Sequence, residues 1–493
     1  MQIGFDNEKY LKVQSEKIKE RIKMFDQKLY LEFGGKIFDD YHAERVLPGF
    51  QNDAKIRLID ELKDISEIIF CINANNIEKR KIRADYGITY DLEVLRLIEN
   101  IQKRGIKINS VVITMYTGQE SALKFQKRLE NKNIKTYIHT PTKGYPTDVN
   151  TIVSEKGYGK NPYIETTRPL VIVTAPGPCS GKLATCLSQL YHEYKRGIKA
   201  GYAKFETFPV WNLPLKHPVN MAYEAATADL KDVNMIDYFH LESYKEKAVN
   251  YNRDLEVFPV LKDILHKITG KDIYKSPTNM GVNMIKSCII NDEACQKAAK
   301  DEIIRRYYKA LCDYKQGECS KDIPERILLI MNELNLKKED RKVVKYALEK
   351  ANTSHKHAIA LEIEGKIITG RQTDLLTPVA SLFLNTIKTL ENIPDNNLLL
   401  APNILKPISE FKINILKKEN YRLNLQEVII ALNICSVTNP IIEKAMKNIS
   451  KFKHCQAHAT YNIQNEDLTV LRNFGVDLTC EPVSYSNNLY NED

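Results

Sequence analysis

The stretch RPLVIVTAPGPCSGKLATCLSQLYHEYKRG, residues 168–197, gives the clearest indication of the fold class of this chain. Its apolar, β-branched run Leu170–Thr174 is typical of a buried strand, and Lys182–Lys195 repeats apolar residues at helical spacing. A glycine-rich turn joins the two. A strand that leads through such a turn directly into a helix indicates a βαβ unit and a largely parallel sheet.

The same alternation of strand and helix extends on both sides, from about residue 60 to residue 215. The sequence predicts strands at Ile68–Ile72, Ser110–Tyr116, Lys135–His139, Leu170–Thr174 and Ala203–Phe208. It predicts the helices between them at Leu92–Lys103, Gln119–Glu130 and Lys182–Lys195. We therefore expect a doubly wound, mostly parallel α/β domain over residues 1–235.

The rest of the chain changes character twice. Residues 236–350 lose the strand signal and show helical periodicity, which predicts a mainly helical middle domain. Two apolar runs around Glu364-Gly365 then indicate a hairpin, and the helix Pro378–Leu390 follows. Residues 351–493 are accordingly predicted to form a C-terminal α/β domain.

Composition places the chain among ordinary folded proteins. Of its 493 residues 43% are hydrophobic and 27% are charged, which excludes disorder, collagen and coiled coil as descriptions of the whole. The net charge of +9 is spread along the chain, so nucleic acid is not an expected partner. No stretch reaches the roughly 18 apolar residues of a membrane span, the start is polar, and the ten cysteines form no CxxC pair. We expect a cytoplasmic protein with reduced thiols and no membrane contact.

The glycine-rich turn after Leu170–Thr174 has the chemistry of a phosphate site. Such a turn aims backbone N–H groups and the positive end of a helix at one point, where an anion can sit. Lys182 adds a positive charge, and two hydroxyl groups are close in sequence. The predicted phosphate-binding residues are Gly177, Ser180, Gly181, Lys182 and Thr185.

The turn departs from a Walker A motif. Three residues separate Gly177 from Gly181-Lys182 where the motif has four, and Leu183 stands where Ser or Thr would reach magnesium. No convincing Walker B strand is present. The ligand and any cofactor stay unknown. The turn could bind a nucleotide or another phosphorylated small molecule, or it could be only a tight connection between the strand and the helix.

Two other polar segments offer candidate catalytic groups. The first, Asp39–Arg45, contains His42, Glu44 and Arg45, which could form an acid/base site or a solvated loop with local ion pairs. The second follows the hairpin, where Arg371 could hold an anion and Thr373 or Asp374 could cap the next helix. The turn Phe33-Gly34-Gly35-Lys36 could also approach a phosphate.

No zinc is expected. The histidines His355, His357, His454 and His458 each have at most half of a metal-ligand spacing, and the chain has no HExxH motif. Hydrogen-bonded or core histidines explain them better.

Self-association is expected from the helical region. Apolar residues recur there beside charged ones, and a helical segment of this length has much surface relative to its own core. The stripe consists of Ile303, Ile304, Leu311, Ile327, Leu328 and Ile330. We predict a symmetric homo-oligomer that covers part of it. A dimer disrupted by charged substitutions at Ile327 or Ile330 would place the contact in this segment.

Several long phrases resemble a known bacterial family. These are YHAERVLPGF, TAPGPCSGKLATCLSQLYHEYKRG, KFETFPVWNLPLKHPVNMAYEAATADL, HAIALEIEGKIITGRQTDLLTPVAS and GVDLTCEP. They identify the chain as a member of domain-of-unknown-function family 1846, also called uncharacterised protein family 371. Some members have been labelled ATP-dependent zinc proteases, a label that this sequence does not support. The family usually has glycine where this chain has Cys179, which places a side chain at the loop.

The segment Ala358–Leu390 is similar to the hairpin and helix of cytidine-deaminase-like domains. Its helix starts Pro378-Val379-Ala380-Ser381 and offers no zinc ligand, so the resemblance implies the topology without the chemistry. The sequence therefore favours a metabolic enzyme that binds a phosphorylated or nucleotide-like small molecule at Gly177–Lys182. The alternative is a non-enzymatic binding or assembly protein in which this loop is structural.

Overall fold

The computed structural model of the protein describes residues 2–83, 87–463 and 465–485. Contacts divide the chain into two compact units, Met1–Ala299 and Lys300–Asp493. The predicted helical middle domain, 236–350, is shared between them.

The first unit contains eleven strands among its described residues. They are β1 Leu29–Phe33, β2 Ser66–Asn73, β3 Ile82–Arg83, β4 Ile88–Thr89, β5 Lys107–Thr114, β6 Thr136–Ile138, β7 Leu170–Thr174, β8 Gly201–Phe205, β9 Asn234–Ile236, β10 Val249–Tyr251 and β11 Gly281–Val282. The second unit contributes β12 Ala358–Ile363, β13 Lys366–Arg371, β14 Gln456–Ala459 and β15 Asp477–Cys480.

Helices surround these strands. Up to residue 280 they are α1 Asn7–Lys23, α2 Tyr41–Val46, α3 Ala54–Glu61, α4 Ala74–Glu78, α5 Tyr90–Gln102, α6 Glu120–Glu130, α7 Val149–Ile152, α8 Lys182–Lys195, α9 Pro218–Ala226, α10 Tyr238–Tyr244, α11 Asn252–Thr269 and α12 Pro277–Met280. The later ones are α13 Asp292–Lys315, α14 Asp322–Glu333, α15 Lys342–Ser354, α16 Pro378–Leu390, α17 Pro402–Asn414, α18 Leu425–Ser436, α19 Pro440–Met446 and α20 Asn465–Asn473.

Seven strands of the first unit form one parallel sheet in the order β11-β8-β1-β7-β2-β5-β6. From β2 the chain continues to β5, toward the β6 end of the sheet, whereas from β7 it continues to β8, toward the β11 end. Right-handed crossovers in opposite directions place their helices on opposite faces of a sheet. The neighbours β7 and β2 therefore mark the point where the winding reverses, and the predicted large parallel sheet with helices is confirmed.

The central strands are apolar because both of their faces are covered. Strands β1, β2 and β7 read LYLEF, SEIIFCIN and LVIVT, and nearly every residue in them is buried. The sequence predicted β7 and α8 with their observed bounds. It missed β1 and the edge strand β11.

The second unit is built on a four-stranded sheet in the order β13-β12-β14-β15. Strand β12 runs antiparallel to β13 and β14, whereas β14 and β15 are parallel, so the sheet is mixed. The predicted hairpin and the helix α16 are present. The mixed sheet does not confirm the cytidine-deaminase-like topology, which stays an analogy.

Much of the apolar stripe that motivated self-association is covered within the chain. Ile303, Ile304, Ile327 and Ile330 are each less than a tenth exposed, because they pack into the interior. Ile327 and Ile330 are therefore covered within the chain and are poor positions at which to test an intermolecular contact, and self-association itself stays a prediction. Among the helices of the described residues, none is long and apolar enough to cross a membrane.

Close packing of β13 on α16 makes Gly370 a sensitive position. A Cβ at Gly370 would collide with backbone atoms of Leu382 and Pro378, which cannot move away as a flexible side chain could. We expect Gly370→Ala to lower the free energy of opening of this sheet by about 3 kcal/mol, the upper end of ordinary overpacking. Hydrogen exchange of the β12 and β13 amides measures it.

The matched control is Gly365→Ala in the turn of the same hairpin. Gly365 has a φ of 75° and open space around it, so only the backbone conformation is penalised, by about 1 kcal/mol. Equal losses at the two positions would contradict the packing argument.

Candidate functional site

The candidate site lies at the carboxyl edge of the seven-stranded sheet. Because all seven strands are parallel, the loops that follow β1, β7 and β8 leave from the same edge. In open α/β sheets, ligands bind at this edge near the point where the winding reverses. The loop after β7 is the glycine-rich turn, and we call Ala175–Gly181 the glycine loop.

Two glycines of the glycine loop are required by close packing. A Cβ at Gly177 would lie 2.5 Å from the Tyr90 hydroxyl oxygen of α5. A Cβ at Gly181 would lie 2.9 Å from Thr114 at the end of β5, and Gly181 also has a φ of 82°. The loop backbone is thus held against its neighbours at both ends.

The predicted hydroxyl groups brace the loop from inside. Ser180 donates to the carbonyl oxygen of Gly177 at 2.8 Å, and Thr185 donates to that of Gly181 at 3.0 Å. Thr114 donates to the carbonyl oxygen of Ser180 at 2.8 Å. Ser180 and Thr185 are each only 1% exposed. In the described structure these two hydroxyls hold the loop in shape, and Pro178 and Cys179 form its exposed tip.

Helix α8 begins directly after the loop. Its N-cap is Gly181, and among the described residues no side chain accepts a hydrogen bond from the first-turn amides of the helix. The Nζ of Lys182 lies 4.0 Å from Oε1 of Glu32, and the Lys182 side chain is 14% exposed. The helix start therefore combines first-turn amides, which have no acceptor within the helix, with a nearby ammonium group, and this arrangement suits an anion.

A cluster of charged side chains lies beside this helix start, at the ends of β1 and β8. Glu32 of β1 is paired in register with Lys204 of β8, so both side chains project from the same face. Tyr202 donates to Oε2 of Glu32 at 2.8 Å. The Nζ of Lys204 lies 2.6 Å from Glu206 and 2.7 Å from Asp254 of α11. We call Glu32, Tyr202, Lys204, Glu206 and Asp254 the edge cluster.

One carboxyl group of the edge cluster, that of Glu206, has a pKa close to neutral pH. Burial raises the pKa of Glu206 to about 7, and the negative charges of Asp254 and Glu32 add to this shift while Lys204 opposes it. Burial alone would lower the pKa of Lys204, but the three carboxylates around it raise it above its ordinary value. A carboxyl that titrates near pH 7 beside a permanently charged lysine has the properties of a general acid or base.

The predicted segment Asp39–Arg45 approaches the same edge through aromatic contacts. The His42 ring lies 5.3 Å from the rings of both Phe208 and Tyr223, and Phe208 follows Glu206 by two residues. Asp40 caps α2 and forms a buried ion pair with Lys55 at 2.7 Å. Burial would raise the pKa of Asp40, but Lys55 holds it below its ordinary value. Glu44 and Arg45 lie half-buried on α2.

Arg371 and Asp374 belong to the second compact unit. Arg371 ends β13 and is exposed, and Asp374 is 92% exposed with its carboxylate 3.6 Å from Lys356. The cap predicted at Thr373 or Asp374 is wrong, because Thr377 is the N-cap of α16 and accepts from the Ala380 amide at 3.3 Å.

Two histidines of the second unit, His357 and His458, have protein partners. His458 is buried, with Nδ1 at 2.9 Å from the Thr479 hydroxyl and Nε2 at 3.3 Å from Glu481. His357 packs on the rings of Tyr461 and Tyr485. Among the described residues no group of three His, Cys, Asp or Glu side chains is placed to hold a metal ion.

The sequence analysis missed the edge cluster. A usable signal existed at the end of β8, where Lys204 and, one residue beyond the strand, Glu206 alternate with the apolar Ala203 and Phe205, a spacing that predicts one shared face. A second signal was Glu32, a carboxylate inside the otherwise apolar run LYLEF. Neither signal indicates a site until the two strands are known to be neighbours.

The raised pKa of Glu206 gives a pH-dependent stability. Between about pH 4.5 and about pH 7 the unfolded carboxyl loses its proton while the folded one keeps it, so the folded state binds more protons and stability falls as pH rises. Glu206→Gln removes this dependence. The difference in unfolding free energy, wild type minus variant, should fall across that window by up to about 1.4 kcal/mol per pH unit.

Urea unfolding followed by the fluorescence of Trp211, the sole tryptophan, measures this difference. Glu256→Gln, a change on the same helix as Asp254 but outside the edge cluster, is the control and should leave the pH profile unchanged. A constant difference for Glu206→Gln would show that its carboxyl titrates normally.

Cys179 carries a strained backbone at the tip of the glycine loop. Its φ is 55°, in the left-handed region that glycine adopts without a Cβ penalty. Cys179→Gly relieves about 1–2 kcal/mol of backbone strain in the folded state but adds about 0.5–1 kcal/mol of conformational entropy to the unfolded chain. The variant should therefore be more stable by roughly 0.5–1 kcal/mol. Cys179→Ala keeps the Cβ and should gain nothing; thermal unfolding of both variants compares them.

Comparisons with known proteins confirm the resemblance found in the sequence. The family model "Domain of unknown function DUF1846, N-terminal" matches residues 3–335, and "Domain of unknown function DUF1846, C-terminal" matches residues 339–490. UPF0371 proteins of Clostridium tetani (strain Massachusetts / E88), Clostridium botulinum (strain ATCC 19397 / Type A) and Clostridioides difficile (strain 630) are each 55% identical over 500 aligned residues. The alignments cover 99% of this chain and 99%, 99% and 100% of the three relatives. The chain therefore belongs to the DUF1846 family.

Proposed function

We propose that this protein is an enzyme that binds a phosphorylated small molecule at the glycine loop and transfers protons through the edge cluster. The observation that carries the proposal is the meeting of two features at one sheet edge. The start of α8 with Lys182 lies on one side of Glu32, at 4.0 Å, and Lys204 is its register partner on the other. An anion subsite thus adjoins a candidate acid/base group.

Phosphate binding at this position rests on the backbone. The first-turn amides of α8 and the positive end of the helix favour an anion, and Lys182 supplies a full charge. The magnesium ligand of a Walker A motif is replaced by Leu183, and the hydroxyls of Ser180 and Thr185 are engaged inside the loop. These features favour a phosphate held by amides and Lys182 over a nucleoside triphosphatase.

The chemistry of the proposed enzyme follows from Glu206. A carboxyl with a pKa of about 7 can accept or donate a proton at neutral pH, and the Lys204 ammonium can stabilise negative charge that develops on a substrate. The Glu206 side chain is about a quarter exposed, so a small molecule at the edge can reach it. Proton abstraction or donation on a phosphorylated substrate is the reaction class that this pair supports.

A non-enzymatic binding or assembly role is the alternative. It is favoured by the internal hydrogen bonds of the glycine loop and by apolar side chains exposed on α18 in the second unit. Ile430 and Ile434 are 52% and 68% exposed, and Val437, directly after the helix, is 84% exposed. A second copy of the chain could cover this row.

Lys182→Met tests the anion subsite. Wild-type protein should be stabilised by phosphate compounds, by about 2.7 kcal/mol at 100 times the dissociation constant. Thermal shift with inorganic phosphate, ATP and glucose 6-phosphate identifies the ligand, and equilibrium dialysis measures its affinity. Removing the ammonium should weaken that affinity at least about tenfold because a charge-assisted hydrogen bond to the phosphate is lost.

Lys28→Met is the matched control. Lys28 is also nearly buried, with its side chain 13% exposed, and it pairs with the buried carboxylate of Glu193 at 2.9 Å. It lies before β1, at the opposite edge of the sheet, so its loss should reduce stability and leave phosphate binding unchanged. Absence of binding by the wild type, or equal weakening by both variants, would favour the structural role of the loop.

A further inference from the structure

A cavity of about 280 Å³ lies in the first unit, beside the edge strand β11 and apart from the glycine loop. Its lining comes from α1, α10, the loop that contains Trp211, and the segment Thr278–Met284. The volume falls just under the roughly 300–1,000 Å³ of ordinary ligand pockets, which suits one compact ring system.

Three aromatic side chains line one side of this cavity, with the His240 ring tilted by 55° against that of Trp211 and by 38° against that of Tyr244. The rings of Trp211 and His240 lie 5.9 Å apart, and those of His240 and Tyr244 lie 4.7 Å apart. His240 is buried, whereas Tyr244 is 40% exposed at the rim. Adjacent aromatic faces of this kind stabilise a planar ligand by stacking, which does not depend on ligand charge.

The hydrogen bonds of His240 determine which of its nitrogens carries the proton. Nδ1 lies 2.9 Å from the Ser276 hydroxyl oxygen, which also accepts from the Asn279 amide at 3.0 Å. Ser276 is fully buried, so its own proton needs an acceptor, and Nδ1 is the one within reach. Burial lowers the pKa of His240, which keeps the ring neutral. Nε2–H is therefore a donor, with no protein acceptor among the described residues.

The charged residues at this cavity balance one another. Arg21 donates to the carbonyl oxygens of Asn279 and Gly281 at 3.1 and 3.3 Å and so builds the wall. Lys17 pairs with Glu20 at 2.9 Å, and the carboxylate of Glu246 is also present at the lining. The surroundings do not favour a strongly charged ligand.

We propose that this cavity binds a planar, uncharged heteroaromatic compound of the nucleoside class. One ring of the ligand stacks on the exposed ring of Tyr244, beside Trp211 and His240, and a ring nitrogen or carbonyl oxygen accepts from Nε2–H of His240. This inference does not depend on the phosphate subsite at Lys182.

Trp211 provides the direct test because it is the only tryptophan of the chain. Adenosine, guanosine, cytidine and uridine are titrated into the full-length protein, and at least one should change the Trp211 fluorescence in a saturable manner. Tyr244→Ala should weaken that affinity about tenfold, which corresponds to about 1.4 kcal/mol, by removing one stacking face. The Tyr244 side chain is 40% exposed, so the variant should keep the wild-type circular dichroism.

Tyr238→Ala is the matched control, since Tyr238 lies on the same helix, is 50% exposed and does not line the cavity. It should leave the affinity unchanged, as should Lys182→Met, which separates this site from the phosphate subsite. No saturable change with any nucleoside, or an affinity that Tyr244→Ala leaves intact, would overturn the proposal. Equilibrium dialysis with the best nucleoside decides the result if its absorbance obscures the fluorescence.

Discussion

The parallel pairing of β1 between β7 and β8 is the constraint on which the candidate site depends. It brings the ends of three strands that are far apart in sequence to one edge, and it sets Glu32 in register with Lys204. An antiparallel neighbour would send one of the loops to the other edge. The same pairing accounts for the apolar composition of the strands, since a parallel sheet covered on both faces leaves little room for polar side chains. The carboxylate of Glu32 is tolerated because Tyr202 donates to it and two lysines lie nearby.

The two edges of this sheet use the same residue types in different ways. At the amino edge, Lys28 contacts the buried Glu193 at 2.9 Å, and Tyr30 donates to the same carboxylate at 2.7 Å. At the carboxyl edge the distance between Lys182 and Glu32 is 4.0 Å. Lys28 is committed to its buried partner Glu193, whereas Lys182, which among the described residues has no carboxylate closer than 4.0 Å, retains hydrogen-bonding capacity for a ligand. This difference supports the carboxyl edge as the place of function.

The candidate site could be predicted in part. The glycine loop could be found from the sequence, because the strand, the glycine-rich turn and the helix follow one another directly along the chain. The hydroxyls of Ser180 and Thr185 were assigned to a ligand, but local geometry directs them to the carbonyls of Gly177 and Gly181. Glu206 was not found. Its pKa depends on burial and on Asp254 and Glu32, which are distant in sequence, so no local pattern contains that information.

Elements with local signals could be predicted from the amino-acid sequence: β7, α8 and α16 have the predicted bounds, and the family follows from long phrases of the chain. The tertiary structure alone decided that the short segment Leu29–Phe33 is a central strand and that Gly281–Val282 completes the edge of the sheet. It also decided that Ile327 and Ile330 are buried. Apolar periodicity indicates which residues will be buried, whereas contacts between segments that are distant in sequence determine which element buries them.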